Sequence, residues 1–163
     1  MTKRAEFVEN VKKEVDNNSV YVWGGQGELL EQTTFSKLES MENKNVTNVK
    51  RVLTHIADVY SKGITRARLF DCGGLVTYHL MKIGYLKYDT TANGLMNMCE
   101  KITKRELLPG DLVFTVKNGK ASHVAVYIDA NGDKLVEAVG RDVGVTYTTL
   151  TNKFNAYGRL PKL

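Results

Sequence analysis

Apolar residues recur at helical spacing through the first part of the chain and at alternate positions through the last third. Phe7, Val8, Val11 and Val15 share one stripe, which predicts a helix over 3–16. "SVYVWGGQG" (19–27) reads as an aromatic strand start broken by glycines, and 28–44 is polar and weakly patterned. Val46, Val49, Leu53, Ile56 and Tyr60 predict a second helix over 46–61, with Gly63 as its stop. A third helix begins at or beside Cys72 and runs to Lys82, with Gly84 as its C-cap. A short helix follows near 92–100.

From 111 onward "DLVFTV", "HVAVYI", "KLVEAV" and "GVTYTTL" alternate with period two, and "AYGRL" supplies a possible last strand. "NGK" (118–120) and "ANGD" (130–133) are hairpin signals. Helices first and an antiparallel sheet afterwards make an α+β layout. No internal repeat interrupts it, and 163 residues suit one domain, 1–163.

Composition narrows the function classes. Apolar (42%) and charged (25%) fractions are those of an ordinary globular chain, so a disordered arm is not expected. No run of about 18 apolar residues exists to span a membrane. The charged start, "MTKRAEFVENVKKEVDNN", lacks the apolar core of a secretory signal. The protein is therefore expected to stay in the cytoplasm until released, or to ride on a virion. The net charge of +5 suits solubility or an anionic polymer such as a cell wall. No long Lys/Arg run or zinc-finger spacing points to nucleic acid. Cys72 and Cys99 are the only cysteines, too few for a disulfide framework and without a CxxC metal pair.

"FDCGGLV" (70–76) raises the chemical question. Unpaired N–H groups and the dipole at a helix N-terminus favour a thiolate, and Cys72 lies at such a position. Gly73 and Gly74 would leave the first turn uncovered, so a carbonyl could approach the backbone N–H groups there. A small buried cysteine in a tight joint is the alternative. Of three histidines, His55 sits within the 46–61 helix, where packing or surface exposure explains it. His79 lies two turns along from Cys72, about 10 Å by helical rise. His123 opens a strand whose alternation sets His123, Ala125 and Tyr127 on one face and Val124, Val126 and Ile128 on the other. That arrangement suits a Cys–His pair. Asp129, Glu137 and Asp142 could orient the histidine. A two-residue turn at Asn131-Gly132 would turn Glu137 away, whereas a five-residue loop, 129–133, would bring it to the histidine's face.

"YVWGG" (21–25), "FDCGGLV" (70–76), "LLPGDLVF" (107–114) and "HVAVYI" (123–128) occur in the order seen in NlpC-type cell-wall cysteine peptidases, which this chain resembles from 19 to 160. The resemblance implies a papain-like α+β fold, with the cysteine at a helix N-terminus packed on an antiparallel sheet. It also implies cleavage of an amide bond in the peptide stem of peptidoglycan, with no metal or organic cofactor. On that likeness Cys72 is the nucleophile and His123 the base. Glu137 stands in the third catalytic position, where the family most often has histidine. Tyr21 matches a tyrosine near the reacting carbonyl, and Asp71 an aspartate that contacts a substrate amine in some members. Trp23, Gly24 and Gly25 shape the cleft wall, unless Trp23 packs in the core. Gly73 and Ser122 border the same cleft.

Three departures stand out. Gly73 replaces the usual serine. Glu137 falls two residues later than usual and brings an anion. Residues 28–69 form an insertion, read either as a helical cap over the cleft or as peripheral packing. Expected partners are a stem peptide and an anionic wall, acted on by a monomer. An amidase or acyltransferase on the same fold, and a non-catalytic wall-binding or assembly module, are the rival readings.

Overall fold

The structure is a computed structural model that describes residues 1–163. Helix α1 (Lys3–Asp16) leads into a short strand β1 (Val20–Tyr21) and strand β2 (Gln26–Leu29). A 3-10 turn (Leu30–Gln32), helix α2 (Phe35–Met41) and helix α3 (Val46–Ser61) follow, and strand β3 (Arg68–Phe70) returns the chain. Helix α4 (Cys72–Lys82), helix α5 (Ala92–Met98) and strand β4 (Glu100–Ile102) come next. Strands β5 (Leu112–Lys117), β6 (Lys120–Asp129), β7 (Lys134–Gly140), β8 (Gly144–Thr149) and β9 (Ala156–Arg159) complete the fold.

Side-chain caps start each long helix. Thr2 accepts from the Ala5 amide (3.1 Å), Asn45 from Asn48 (2.9 Å) and Asp71 from Gly74 (2.7 Å). Gly63 and Gly84 follow α3 and α4 with φ of 71° and 72°, the left-handed conformation that ends a helix.

The main sheet has the order β4-β9-β5-β6-β7-β8, with antiparallel neighbours throughout. Its alternation is the one the sequence predicts. Val124 and Val126 join Phe7, Val11, Leu75, Leu80 and Phe114 in the larger core beneath α1 and α4. Ala125 and Tyr127 join Leu107, Val113, Leu135 and Phe154 in a separate cluster.

Several elements depart from expectation. A second, three-stranded sheet has the order β1-β3-β2, in which β1 and β3 run parallel. The polar stretch 28–44 contributes the end of β2 and all of α2. Helix α3 buries Val49, Val52, Ile56 and Val59, whereas Leu53 and Tyr60 are exposed. Val49 and Ile56 are buried as expected, but Val52 and Val59 take the places of Leu53 and Tyr60 because the helix packs on Val20, Val22, Leu30, Leu38 and Leu69. The β6–β7 loop is four residues, 130–133, rather than five: Asp129 pairs with Lys134 across a bulge. That bulge supplies the extra residue, so Val126 still pairs with Val136 and Tyr127 with Leu135, which sets Ala125 opposite Glu137.

Asp111, from the "PGD" of the third motif, is a structural anchor. It is fully buried, and its carboxylate accepts from Arg4 (2.5 Å), from Arg159 (2.9 and 2.7 Å) and from the Leu108 amide (2.8 Å). One side chain thus ties α1 and β9 to the start of β5. Burial alone would raise its pKa, but the two guanidinium groups and the amide hold it below the usual value. Its contribution is therefore full above the unfolded pKa near 4 and is lost as pH falls through the lower folded value. Asp111→Asn should destabilise the fold by about 3 kcal/mol at neutral pH. In urea titrations the loss relative to wild type should shrink on acidification.

Candidate active site

The site begins where two glycine turns meet. The Asp71 amide donates to the Gly25 carbonyl (3.0 Å), and the Gly25 amide donates to Val22 (2.9 Å). A Cβ at Gly74 would overlap the Gly25 carbonyl oxygen, so only glycine lets the two segments touch. The two oxygens of Asp71 accept from Gly74 (2.7 Å) and from Gly24 (3.1 Å). Asp71 is thus both the N-cap of α4 and a strut to the Tyr21–Gly25 loop. Burial, and after it the neighbouring Asp89 and Glu28, raises its pKa despite those two amides.

Gly73 and Gly74 are buried, contrary to the expectation of an uncovered first turn. Gly74 lies against Gly25, and a Cβ on Gly73 would come within 3.2 Å of the Ala92 amide at the start of α5. The glycines serve close backbone packing, and the serine common at this place in the family would require the start of α5 to give by a few tenths of an ångström. With Gly74 engaged by Asp71, the amides of Cys72 and Gly73 remain the helix's unpaired first-turn donors.

Cys72 and His123 line one cleft of about 350 Å³ together with Tyr21, Trp23, Gln26, Asp89 and Ser122. Trp23 is 55% exposed and is no part of the core. Ser122 is the extra residue of a β5–β6 bulge, since Thr115 pairs with His123 and Val116 with Ala121. Its hydroxyl donates to the Thr115 carbonyl (3.3 Å). The bulge lies beside His123 at the cleft rim, where such irregularities re-aim a side chain.

His123 Nε2 lies 3.6 Å from Glu137 Oε1, an ionic contact longer than a hydrogen bond. Nδ1 is the ring nitrogen left for Cys72. Burial disfavours the imidazolium, yet the neighbouring Cys72 and Glu137 outweigh it and push the His123 pKa up to about 9. Glu137 is fully buried and keeps its charge: Lys153 donates to Oε1 (3.0 Å) and Thr148 to Oε2 (3.0 Å). Burial would raise the Glu137 pKa, but the His123 and Lys153 contacts lower it on balance. The ring of Phe154 lies 5.8 Å from that of His123. Lys153 and Thr148 were not singled out from the sequence. Thr148 sits opposite Leu135 in the β7–β8 register, and Lys153 lies in an irregular loop.

The other candidates have different partners. Asp142 is paired with Arg51, and Asp129 accepts from the Asn131 amide (2.8 Å). His79 is buried against Glu14 at 3.0 Å, locking α1 to α4. Burial lowers the His55 pKa, and the ring packs under Gly144. Tyr21 is half-buried; burial first, then Cys72 and Asp71, push its pKa up to about 12, so its hydroxyl stays protonated. Both cysteines are free, and burial pushes Cys99 up to about 12, whereas Cys72 opens into the cleft. No group of three or more His, Cys, Asp or Glu side chains is arranged to hold a metal ion, and no helix is long and apolar enough to cross a membrane.

The profile of the NlpC/P60 family matches residues 57–158. The chain belongs to the NlpC/P60 family. The match includes Cys72, His123 and Glu137 and leaves out Tyr21 and Trp23. The probable endopeptidase p60 of Listeria innocua is 31% identical over 96 residues, covering 59% of this chain and 20% of that protein. The chain thus spans about a fifth of the length of the curated relatives it matches. The P60 domain of an antigen from M. avium subspecies paratuberculosis superimposes with a TM-score of 0.60 at 20% identity, over 99% of this chain and 100% of that one. RipD of Mycobacterium tuberculosis, a non-catalytic NlpC/p60 domain protein adapted to peptidoglycan binding, gives 0.63 at 18% identity, over 98% of each chain. These structures establish a shared NlpC/P60 fold, with its α+β, papain-like arrangement.

The Gly25–Gly74 contact yields a direct test. Gly74→Ala should destabilise the protein by about 3 kcal/mol, because backbone rather than a flexible side chain blocks the added methyl. Ser122→Ala, on the exposed rim, should stay within about 0.5 kcal/mol of wild type. Urea midpoints of both variants measure this.

Proposed function

We propose that the protein is a peptidoglycan hydrolase that cleaves an amide bond in the wall's peptide stem with Cys72, His123 and Glu137. The observation that carries this reading is one cleft in which a cysteine at a helix N-terminus neighbours a histidine backed by a buried, charge-compensated carboxylate. Likeness of fold alone would not carry it, since RipD has the same fold without catalysis. Family membership and the net charge of +5, suited to an anionic wall, support the substrate class.

His123 takes the Cys72 proton, and the thiolate attacks the scissile carbonyl carbon. The developing oxyanion meets the Cys72 amide and the protonated Tyr21 hydroxyl. The imidazolium then protonates the leaving nitrogen, the C–N bond breaks and a thioester remains. His123 takes a proton from water, the hydroxide attacks the thioester, and Cys72 leaves as the thiol. Glu137 orients the ring and stabilises its cationic form, as the aspartate does in a serine triad. Asp71 and Asp89 give one end of the cleft negative charge suited to a substrate amine.

Digestion of purified peptidoglycan, read by mass spectrometry, should give new stem-peptide ends with wild type and at least about 10³-fold less with Cys72→Ala. Release of lactyl sugar ends instead would identify the amidase. No release from several wall types would favour a binding module.

Activity should need His123 in its protonated-pair form, which is lost as pH rises through about 9. The pH profile of kcat/KM should therefore have an alkaline limb near 9 in wild type. In Glu137→Gln one raising contact is gone, so the limb should move to lower pH and kcat should fall, by up to the roughly 10⁴-fold seen when a triad's carboxylate becomes its amide. An unmoved limb would separate Glu137 from the histidine's chemistry.

A further inference from the structure

Among the contacts of residues 28–69 with the catalytic half of the molecule is one buried ion pair. Glu42 follows α2 and is 3% exposed. Its carboxylate accepts from Arg141 Nε and Nη2 (2.7 Å each) and from the Trp23 amide (3.3 Å). Arg141 lies in the β7–β8 turn, and its guanidinium stacks over the Tyr21 ring at 5.5 Å. A single carboxylate therefore holds the backbone of one cleft-wall aromatic and, through Arg141, the ring of the other. The following residues, Asn43 and Lys44, both have positive φ (53° and 56°). Consecutive left-handed non-glycine residues persist only where their surroundings over-determine them, and here they turn the chain from α2 into α3 while Glu42 faces inward.

The same turn is gripped twice more. Arg51 makes a two-pronged pair with Asp142 (3.0 and 2.8 Å), and His55 packs under Gly144. The Arg51–Asp142 pair is solvent-exposed and so contributes little. The Glu42 pair is desolvated and bidentate, the geometry in which such contacts position groups strongly.

We propose that Glu42 is a positioning residue for the Tyr21–Trp23 wall of the cleft, so that residues 28–69 govern substrate fit through it. For its kinetic readout this rests on the hydrolase reading above; its spectroscopic readout does not. The segment is thereby part of the binding apparatus and not peripheral packing. Loss of the carboxylate frees the wall, and with it both Trp23 at the cleft and the Tyr21 hydroxyl that meets the oxyanion, while Cys72, His123 and Glu137 keep their own supports.

Trp23 is the chain's only tryptophan, so its emission reports the wall directly. In folded Glu42→Gln, emission should shift to the red and acrylamide quenching should increase. KM should rise about tenfold, and kcat should also fall, by no more than the roughly 10²-fold loss of one oxyanion donor, since Tyr21 belongs to the wall. Glu42→Asp should recover part of both effects, and Arg51→Ala should show neither. Val11→Ala, which weakens the main core, controls for loss of stability alone and should leave Trp23 emission and KM unchanged. Should Glu42→Gln not fold, the double variant E42M/R141M removes both charges of the pair and should give the same fluorescence change. Wild-type emission, quenching and KM in a folded Glu42 variant would overturn the proposal. If wild type hydrolyses no wall, the hydrolase reading fails, and the fluorescence comparison still decides the positioning role.

Discussion

The contact of two backbones at Gly25 and Gly74 is the constraint on which the site depends. It brings the Tyr21–Gly25 loop against the first turn of α4, and Asp71 bonds both sides of that seam. Cys72 is in the first turn of that helix, and Tyr21 and Trp23 flank the glycines. A change in this seam would move the thiol relative to the aromatic wall, because nothing in the joint has a side chain that can yield. The glycines of the two motifs are thus halves of one feature, although 49 positions separate Gly25 from Gly74.

Much of the frame was legible in the chain. Strands β5 to β8 announced themselves because alternation and hairpin glycines are strong local signals. Helix α4 is bounded in the sequence by Cys72 and Gly84, whose capping chemistry is local, whereas the Asp71 cap emerges only in the structure. The short strands were not legible: two or three residues, as in Val20–Tyr21 and Arg68–Phe70, are too few to carry a period. The buried face of α3 is ambiguous in the sequence because Val49 and Ile56 form a helical stripe equally well with Leu53 and Tyr60 or with Val52 and Val59. Only the packing on Val20, Val22 and Leu69 selects Val52 and Val59. The register beside Glu137 was readable in outcome but not in means, since parity is restored by a bulge rather than by loop length.

At the site, the residues with intrinsic reactivity were visible, and those that sustain them were not. Cys72 and His123 stand out by type and neighbourhood. Lys153, Thr148, Glu42 and Arg141 are ordinary polar residues until folding buries the carboxylate beside them. Glu137 and Glu42 are both carboxylates removed from water and compensated by cations from irregular segments. One lies beside a histidine, and the other accepts from Arg141 and from the Trp23 amide. The anion that departs from the family's usual third residue is thus accompanied by Lys153, which takes up charge that His123 alone would have to balance.

The segment between β2 and β3 leaves and rejoins the fold at adjacent points, with Leu29 paired to Arg68 and Glu28 to Leu69. Its own hydrophobic cluster lies largely within it. An evolving lineage could therefore exchange this stretch as a cassette, with few junctions to rebuild. Diversification of what the cleft accepts would then proceed by trading this stretch, provided each replacement remakes the contacts with Val20, Val22 and Arg141.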